Sequence, residues 1–69
     1  MSVYRVIDVI GTSTDSWEDA AATAVNTARQ SLRDLRIAEV VAQDLQLGET
    51  GEITYRTKLR ISFKYESGQ

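Results

Sequence analysis

Between Ile53 and Tyr65 every second position is apolar or tolerates burial. Ile53, Tyr55, Thr57, Leu59, Ile61, Phe63 and Tyr65 alternate with Thr54, Arg56, Lys58, Arg60, Ser62 and Lys64. Side chains on a strand point alternately to opposite faces. The pattern therefore predicts one long strand, greasy on one face and cationic on the other. Val3 to Ile10 is rich in Val and Ile, with Arg5 and Asp8 its only charges, and predicts a mostly buried strand. Gly11 to Ser16 is a cluster of turn and helix-capping residues. Asp15 and Glu18 have the spacing of a capping box, and Ser13 or Thr14 would serve equally as N-cap.

From Trp17 to about Leu35 the apolar period becomes helical. Trp17, Ala21, Ala24, Ala28, Leu32 and Leu35 recur at spacings of three and four, with Ala20 and Val25 on the flanks. A face made mainly of alanine lets a helix lie close to a sheet, and Ala has the best helix propensity. Ile37 to Leu47 predicts a second long strand with apolar residues on both faces. Gly48 to Glu52 is a short glycine-containing loop that joins it to the alternating strand as a β-hairpin. The fold class is α+β, with the order β-α-β-β. A three-stranded antiparallel sheet wrapped around one helix covers the greasy face and leaves the cationic one for other copies.

Composition narrows the chemistry. The chain has 69 residues, no Cys, no His and no Pro, and a net charge of −2. A single domain of this size, residues 1–69, buries only about 60% of its unfolded surface. Its usual supplements are disulfides, metals or self-association. Without Cys there are no disulfides or thiolate metal sites. Without His the commonest metal ligand and general base are missing. The remaining metal donors are oxygens, which suit hard cations such as calcium or magnesium. No apolar run approaches the roughly 20 residues of a membrane span. Nor does the start of the chain resemble a signal peptide. The expected location is cytoplasmic, with no nucleic-acid or membrane partner.

Asp15, Glu18 and Asp19 cluster at the expected helix start. They are candidate metal ligands, or simply complements to the helix dipole. Arg56, Lys58, Arg60 and Lys64 either form a phosphate-binding surface or pair with Glu39, Asp44, Glu49 or Glu52 across subunits. Trp17 is expected to pack between helix and sheet, or between subunits. No nucleophile with a base and no Gly-rich phosphate loop followed by Lys is present, so an enzyme is not expected.

Taken together, Tyr4-Arg5-Val6-Ile7, Gly11-Thr12-Ser13, the alanine-rich helix, Ala38-Glu39-Val40, Thr54-Tyr55-Arg56-Thr57 and Ser62-Phe63 resemble the dodecin family. Thr12-Ser13 leading into Ser16-Trp17-Glu18, and Ile53-Thr54-Tyr55-Arg56, are most similar to its calcium-dodecin branch. The resemblance implies a hollow homododecamer of cubic symmetry, helices outside and sheets inward, that stores or sequesters a small ligand without catalysis. In flavin-binding members, paired flavins (riboflavin or FMN) stack between tryptophans. The resemblance puts Ile37 at that tryptophan's position and Arg56 at the position of a flavin-contacting Gln. Isoleucine cannot form a stacked sandwich, and Arg is donor only where an amide both donates and accepts. The implied ligand is therefore flavin or a flavin-like molecule in a rebuilt site. The alternatives are calcium or another divalent cation in a shell that has lost flavin, or a purely structural assembly.

Overall fold

The structure, a computed structural model, describes residues 1–65. Strand β1 (Tyr4–Ser13), helix α1 (Trp17–Arg29), strand β2 (Leu35–Leu47) and strand β3 (Ile53–Lys64) follow in that order. They make one antiparallel sheet of order β1-β3-β2, with the alternating strand in the middle. Its alternation is reproduced in burial along the middle of the strand, where Thr57, Leu59 and Ile61 are buried and Tyr55 and Phe63 half-buried, while Ile53 and Tyr65 at the two ends of the row are exposed. Thr57 is a polar residue in this row. Its hydroxyl donates to the Trp17 carbonyl at 2.9 Å, so burying it leaves no unmet hydrogen bond.

The structure departs from the sequence reading in several places. Strand β1, read as mostly buried, leaves Tyr4, Val6 and Ile10 exposed because the helix covers only one face of this edge strand. Strand β2 begins at Leu35 and not Ile37, and β3 ends at Lys64 and not Tyr65. Strand β1 runs on through Gly11, Thr12 and Ser13, which pair with Thr57, Arg56 and Tyr55 instead of forming a turn. The N-cap is Ser16, not Ser13, Thr14 or Asp15: the Asp19 amide donates to the Ser16 hydroxyl at 2.9 Å. Ser13 instead accepts from the Asp15 amide at 2.9 Å and donates to the Asp19 carboxylate at 2.7 Å, bracing the turn before the helix. Helix α1 ends at Arg29, six residues earlier than Leu35. The Gln30 and Ser31 amides bond three residues back, and Asp34 adopts a left-handed φ of 59° that turns the chain into β2. Leu32 and Leu35 still pack on the core, one from this turn and one from the first residue of β2. Their helical spacing therefore marked inward residues correctly but assigned them to the wrong element.

Helix and sheet meet through small residues. Ala20, Ala24 and Ala28 are buried against the sheet, with Ala21 and Val25 half-buried beside them. The closest approach is at Gly11. A Cβ there would stand 2.0 Å from the Ala20 carbonyl oxygen and 2.9 Å from the Ala24 Cβ. This glycine is thus required by the helix above it and not by a turn. The helix spans 13 residues, about 20 Å at 1.5 Å per residue, in a molecule 51 Å long. It lies over β1 and the middle of β3. Val40, Leu45, Leu47 and Ile53 share the sheet face on which it sits, yet all are exposed. Apolar surface of this extent suits association with further copies. Among the described residues, no helix is long and apolar enough to cross a membrane.

Replacing Gly11 with Ala is expected to lower the stability of the chain by about 2–3 kcal/mol, at the upper end for one added methylene in a tight core. Thermal denaturation of the assembled protein measures it. A loss below about 0.5 kcal/mol would mean that the helix moves away without cost.

Candidate ligand face of the sheet

Opposed residues of an antiparallel pair share a face, so the strand register sets which side chains meet on the side away from the helix. Asp8, Arg60 and Glu39 form one row across the three strands. Ile10, Lys58 and Ala42 form the next, and Thr12, Arg56 and Asp44 the third. Strand β2 keeps this phase only by bulging between Leu35 and Ile37 and again between Val40 and Ala42. These extra residues are why its sequence shows apolar positions on both faces.

Two of the cations are neutralised within the chain. Arg56 donates from Nε to Asp44 Oδ1 at 2.7 Å and from Nη2 to Asp44 Oδ2 at 2.9 Å, a bidentate fork. Arg60 Nε donates to Asp8 Oδ1 at 3.1 Å. The hydrogen bond from Arg56 is the main reason the Asp44 carboxyl lies below its usual range. The reciprocal hydrogen bond raises Arg56. Asp8, and more weakly the field of Glu39, raise Arg60. These pairs are solvent-exposed and contribute little to stability, but the fork fixes the direction of the guanidinium. Subunit-bridging acids were the sequence expectation for these cations, whereas both pairs form inside one chain. Asp8 was missed as a partner because the match depends on the β1–β3 register, which the local pattern does not carry.

Lys58 is different. Its cross-strand neighbours are Ile10 and Ala42, and among the described residues no carboxylate lies within ion-pairing distance of it. Ile10, Ala42, Asp44, Arg56 and Lys58 together line a cleft of about 270 Å³. From the helix side of the sheet, Trp17 Nε1 donates to the Asp44 carbonyl at 3.1 Å. The Trp17 ring also meets Tyr55 edge-on, with centroids 5.2 Å apart. Trp17 is therefore a packing residue that ties the helix start to β2 and β3.

The two residues singled out for a flavin, Ile37 and Arg56, do not come together in one chain. Ile37 is 62% exposed at the beginning of β2, opposite Ser62. Arg56 sits six residues away along β3, about 20 Å at 3.3 Å per residue. Only a second copy can bring such positions into one site. The metal candidates Asp15, Glu18 and Asp19 are exposed around the start of α1, and Asp19 is engaged by the Ser13 hydroxyl. Among the described residues no three acidic side chains converge as a metal site within the chain. Glu49 and Glu52 lie in the hairpin loop or at its edge. The Thr50 hydroxyl donates to Glu52, and this bond is the main cause of that carboxyl lying below its usual range.

The lowered Asp44 carboxyl has a defined sign. A depressed folded-state pKa stabilises the fold above the unfolded value and loses that contribution as pH falls through the folded value. The effect is thus complete at neutral pH and fades only below the ordinary aspartate value of 3.8. Carboxyl NMR titration should find the Asp44 midpoint below 3.8, and Arg56→Gln should return it toward that value. An unchanged midpoint in the variant would show that the fork is not formed in solution.

The dodecin family model matches residues 3–66. The chain is 56% identical to the calcium dodecin of Mycobacterium tuberculosis over 69 residues, which is 100% of this chain and 97% of that protein. It is 34% identical over 64 residues to the dodecin of Thermus thermophilus, 93% of each chain. A crystal structure of the M. tuberculosis protein, described as a calcium-chelating immunodominant antigen with a novel calcium-binding site, superposes with a TM-score of 0.88 over 99% of this chain and 97% of that one. The dodecin of Streptomyces coelicolor superposes with a TM-score of 0.89 at 33% identity, over 97% of this chain and 96% of that one.

Proposed function

This chain belongs to the dodecin family, and from that premise we propose a non-enzymatic, cytoplasmic, self-assembling shell that binds a divalent cation, calcium first among them, and does not store flavin. The carrying observation is the Arg56–Asp44 fork. It fills the flavin-contacting position with an internal ion pair, 2.7 and 2.9 Å long, whose two bonding edges face each other. Breaking that pair to seat a flavin ring would leave Asp44 without its partner, and a donor-only guanidinium offers the ring no acceptor in exchange. Ile37 supplies no aromatic plane for stacking. The 56% identity to a protein named for calcium supports the cation half of the reading.

A hard divalent ion needs six to eight oxygen ligands. One chain does not gather them, so the cation is bound between copies. Asp15, Glu18 and Asp19 are the carboxylates we assign to it. Their place at the exposed start of α1, beside Ser13, lets copies meeting there add ligands to one another. Assembly as a homododecamer is part of the same proposal. It is supported by family membership and by the bare apolar strip of Val40, Leu45, Leu47 and Ile53. A cation held at such contacts would stiffen the shell without any chemistry at the metal.

Calcium at about a hundredfold excess over its Kd stabilises a protein by about 2.7 kcal/mol through linkage alone. The metal-free shell should therefore gain several degrees in Tm on adding calcium, while riboflavin and FMN show no quenching at low micromolar concentration. Asp15→Asn combined with Glu18→Gln should abolish the gain. Flavin quenching by the unaltered protein, with no calcium shift, would reverse the proposal. A separate outcome is expected for the pair Ile37→Trp and Arg56→Gln, which should create flavin quenching that the parent protein lacks.

A further inference from the structure

The passage from helix α1 into strand β2 carries cations that nothing within the chain neutralises. Arg29 closes the helix, Arg33 lies in the turn, and Arg36 is the second residue of β2. All three are exposed, and among the described residues none has a carboxylate within ion-pairing distance. Asp34 stands in the same turn without pairing to them, and Glu39 belongs to the row of Asp8 and Arg60 on the other face. The helix dipole accounts for Arg29, since it favours a cation in the last turn. It does not account for Arg36. The ladder to β3 passes from the Leu35/Phe63 pair directly to the Ile37/Ser62 pair, so Arg36 is the extra residue of a bulge. Bulges re-aim the side chains they carry. This one sends Arg36 toward the helix, where Arg36, Arg29 and Val25 line one hollow with Leu35, Ala38 and Ile61.

We propose that this hollow is an oxyanion site for a phosphoryl group, either the free phosphate ion or the phosphate of a small monoester. Arg29 and Arg36 hold the oxygens between them, since a guanidinium is a planar fork that matches phosphate bidentately. Size sets the limit. At about 90 Å³ the hollow is far below the roughly 300–1,000 Å³ that encloses a drug-sized molecule, so it takes one small group and not a ring system. Its apolar floor of Val25, Leu35, Ala38 and Ile61 strengthens charge attraction relative to open water. The carbonyl end of the helix would repel an anion, but it is partly tied up. The Gln30 amide bonds the Thr27 carbonyl, and the Ser31 and Leu32 amides bond that of Ala28. The hollow opens on the helix side, whereas the Arg56 fork and Lys58 stand on the uncovered face of the sheet. Ile37 borders it but pairs with Ser62 on that uncovered face, and the assignment does not use it. Nor does it rest on the cation proposal, because Asp15, Glu18 and Asp19 lie at the opposite end of α1.

Inorganic phosphate and glycerol phosphate are the probes, titrated calorimetrically into the assembled protein in EDTA, with sodium acetate at equal ionic strength as the control. EDTA removes calcium, so the result is independent of whether the shell binds that ion. Saturable phosphate binding is expected, weakened about tenfold by Arg29→Gln and by Arg36→Gln, which corresponds to about 1.4 kcal/mol for each. Arg36→Lys keeps the charge but loses the fork. It should weaken binding about threefold, and it serves as the test if the Gln variants fail to assemble. Arg33→Gln, which removes a neighbouring cation outside the hollow, should leave the affinity within about twofold, since exposed charges are screened. The tighter of the two probes identifies the source of the phosphoryl group, and either supports the site. No saturable binding, acetate binding as tight as phosphate, or equal losses in the Arg33 and Arg36 variants would overturn the assignment.

Discussion

The close contact of α1 with the sheet is the constraint from which the rest of the structure follows. Three alanines on one helix face and a glycine beneath them let backbone approach backbone, with no side chain to spare at Gly11. A helix held this close covers little area. It can shield the middle of β3, where Leu59 and Ile61 are each 1% exposed, but it cannot shield strands of 12 and 13 residues along their whole length. The bare apolar strip on β2 is the direct consequence. A chain without cysteine, and with so small a core, gains most by burying that strip against its own copies.

The same geometry separates the two faces of the sheet by function. The helix side handles packing, and Thr57, the one polar residue buried there among the described residues, is satisfied by the first residue of the helix. The other side has no covering element of its own, so charges can persist there. They do not form an undivided basic surface. Cross-strand acids neutralise Arg56 and Arg60 and leave Lys58 between two apolar neighbours. Exposed pairs of this kind add little stability, so their effect is on the direction and charge of the side chains that the face presents. Trp17 links the faces, since it holds the helix start to the β2 backbone beside Asp44.

How much of this was legible in the sequence depended on the range of the interaction. Alternation from Ile53 to Tyr65 needs only neighbouring residues, and it identified the central strand and its buried row. The alanine period identified the helix and its proximity to the sheet. Gly11 was misjudged because glycine in a turn and glycine under a helix look alike until the helix is in place. The end of α1 was misjudged because Leu32 and Leu35 continue the helical spacing while the backbone has already turned at Asp34. Asp8 escaped as the partner of Arg60 because 52 residues separate them. Arg56 stood out in the sequence as a departure from the flavin pattern. Its partner Asp44 was named among the acids, but the pairing within one chain depended on register.

The register also changes what the departure at Arg56 means. A lone arginine in place of a glutamine would be a simple loss of an acceptor. An arginine locked to an aspartate across the hairpin is a different object. Its charge is balanced on one edge, and its remaining donors point along a fixed direction. That arrangement depends on the β2–β3 register, and the bulge between Val40 and Ala42 is what keeps Ala42 and Asp44 in phase with Lys58 and Arg56.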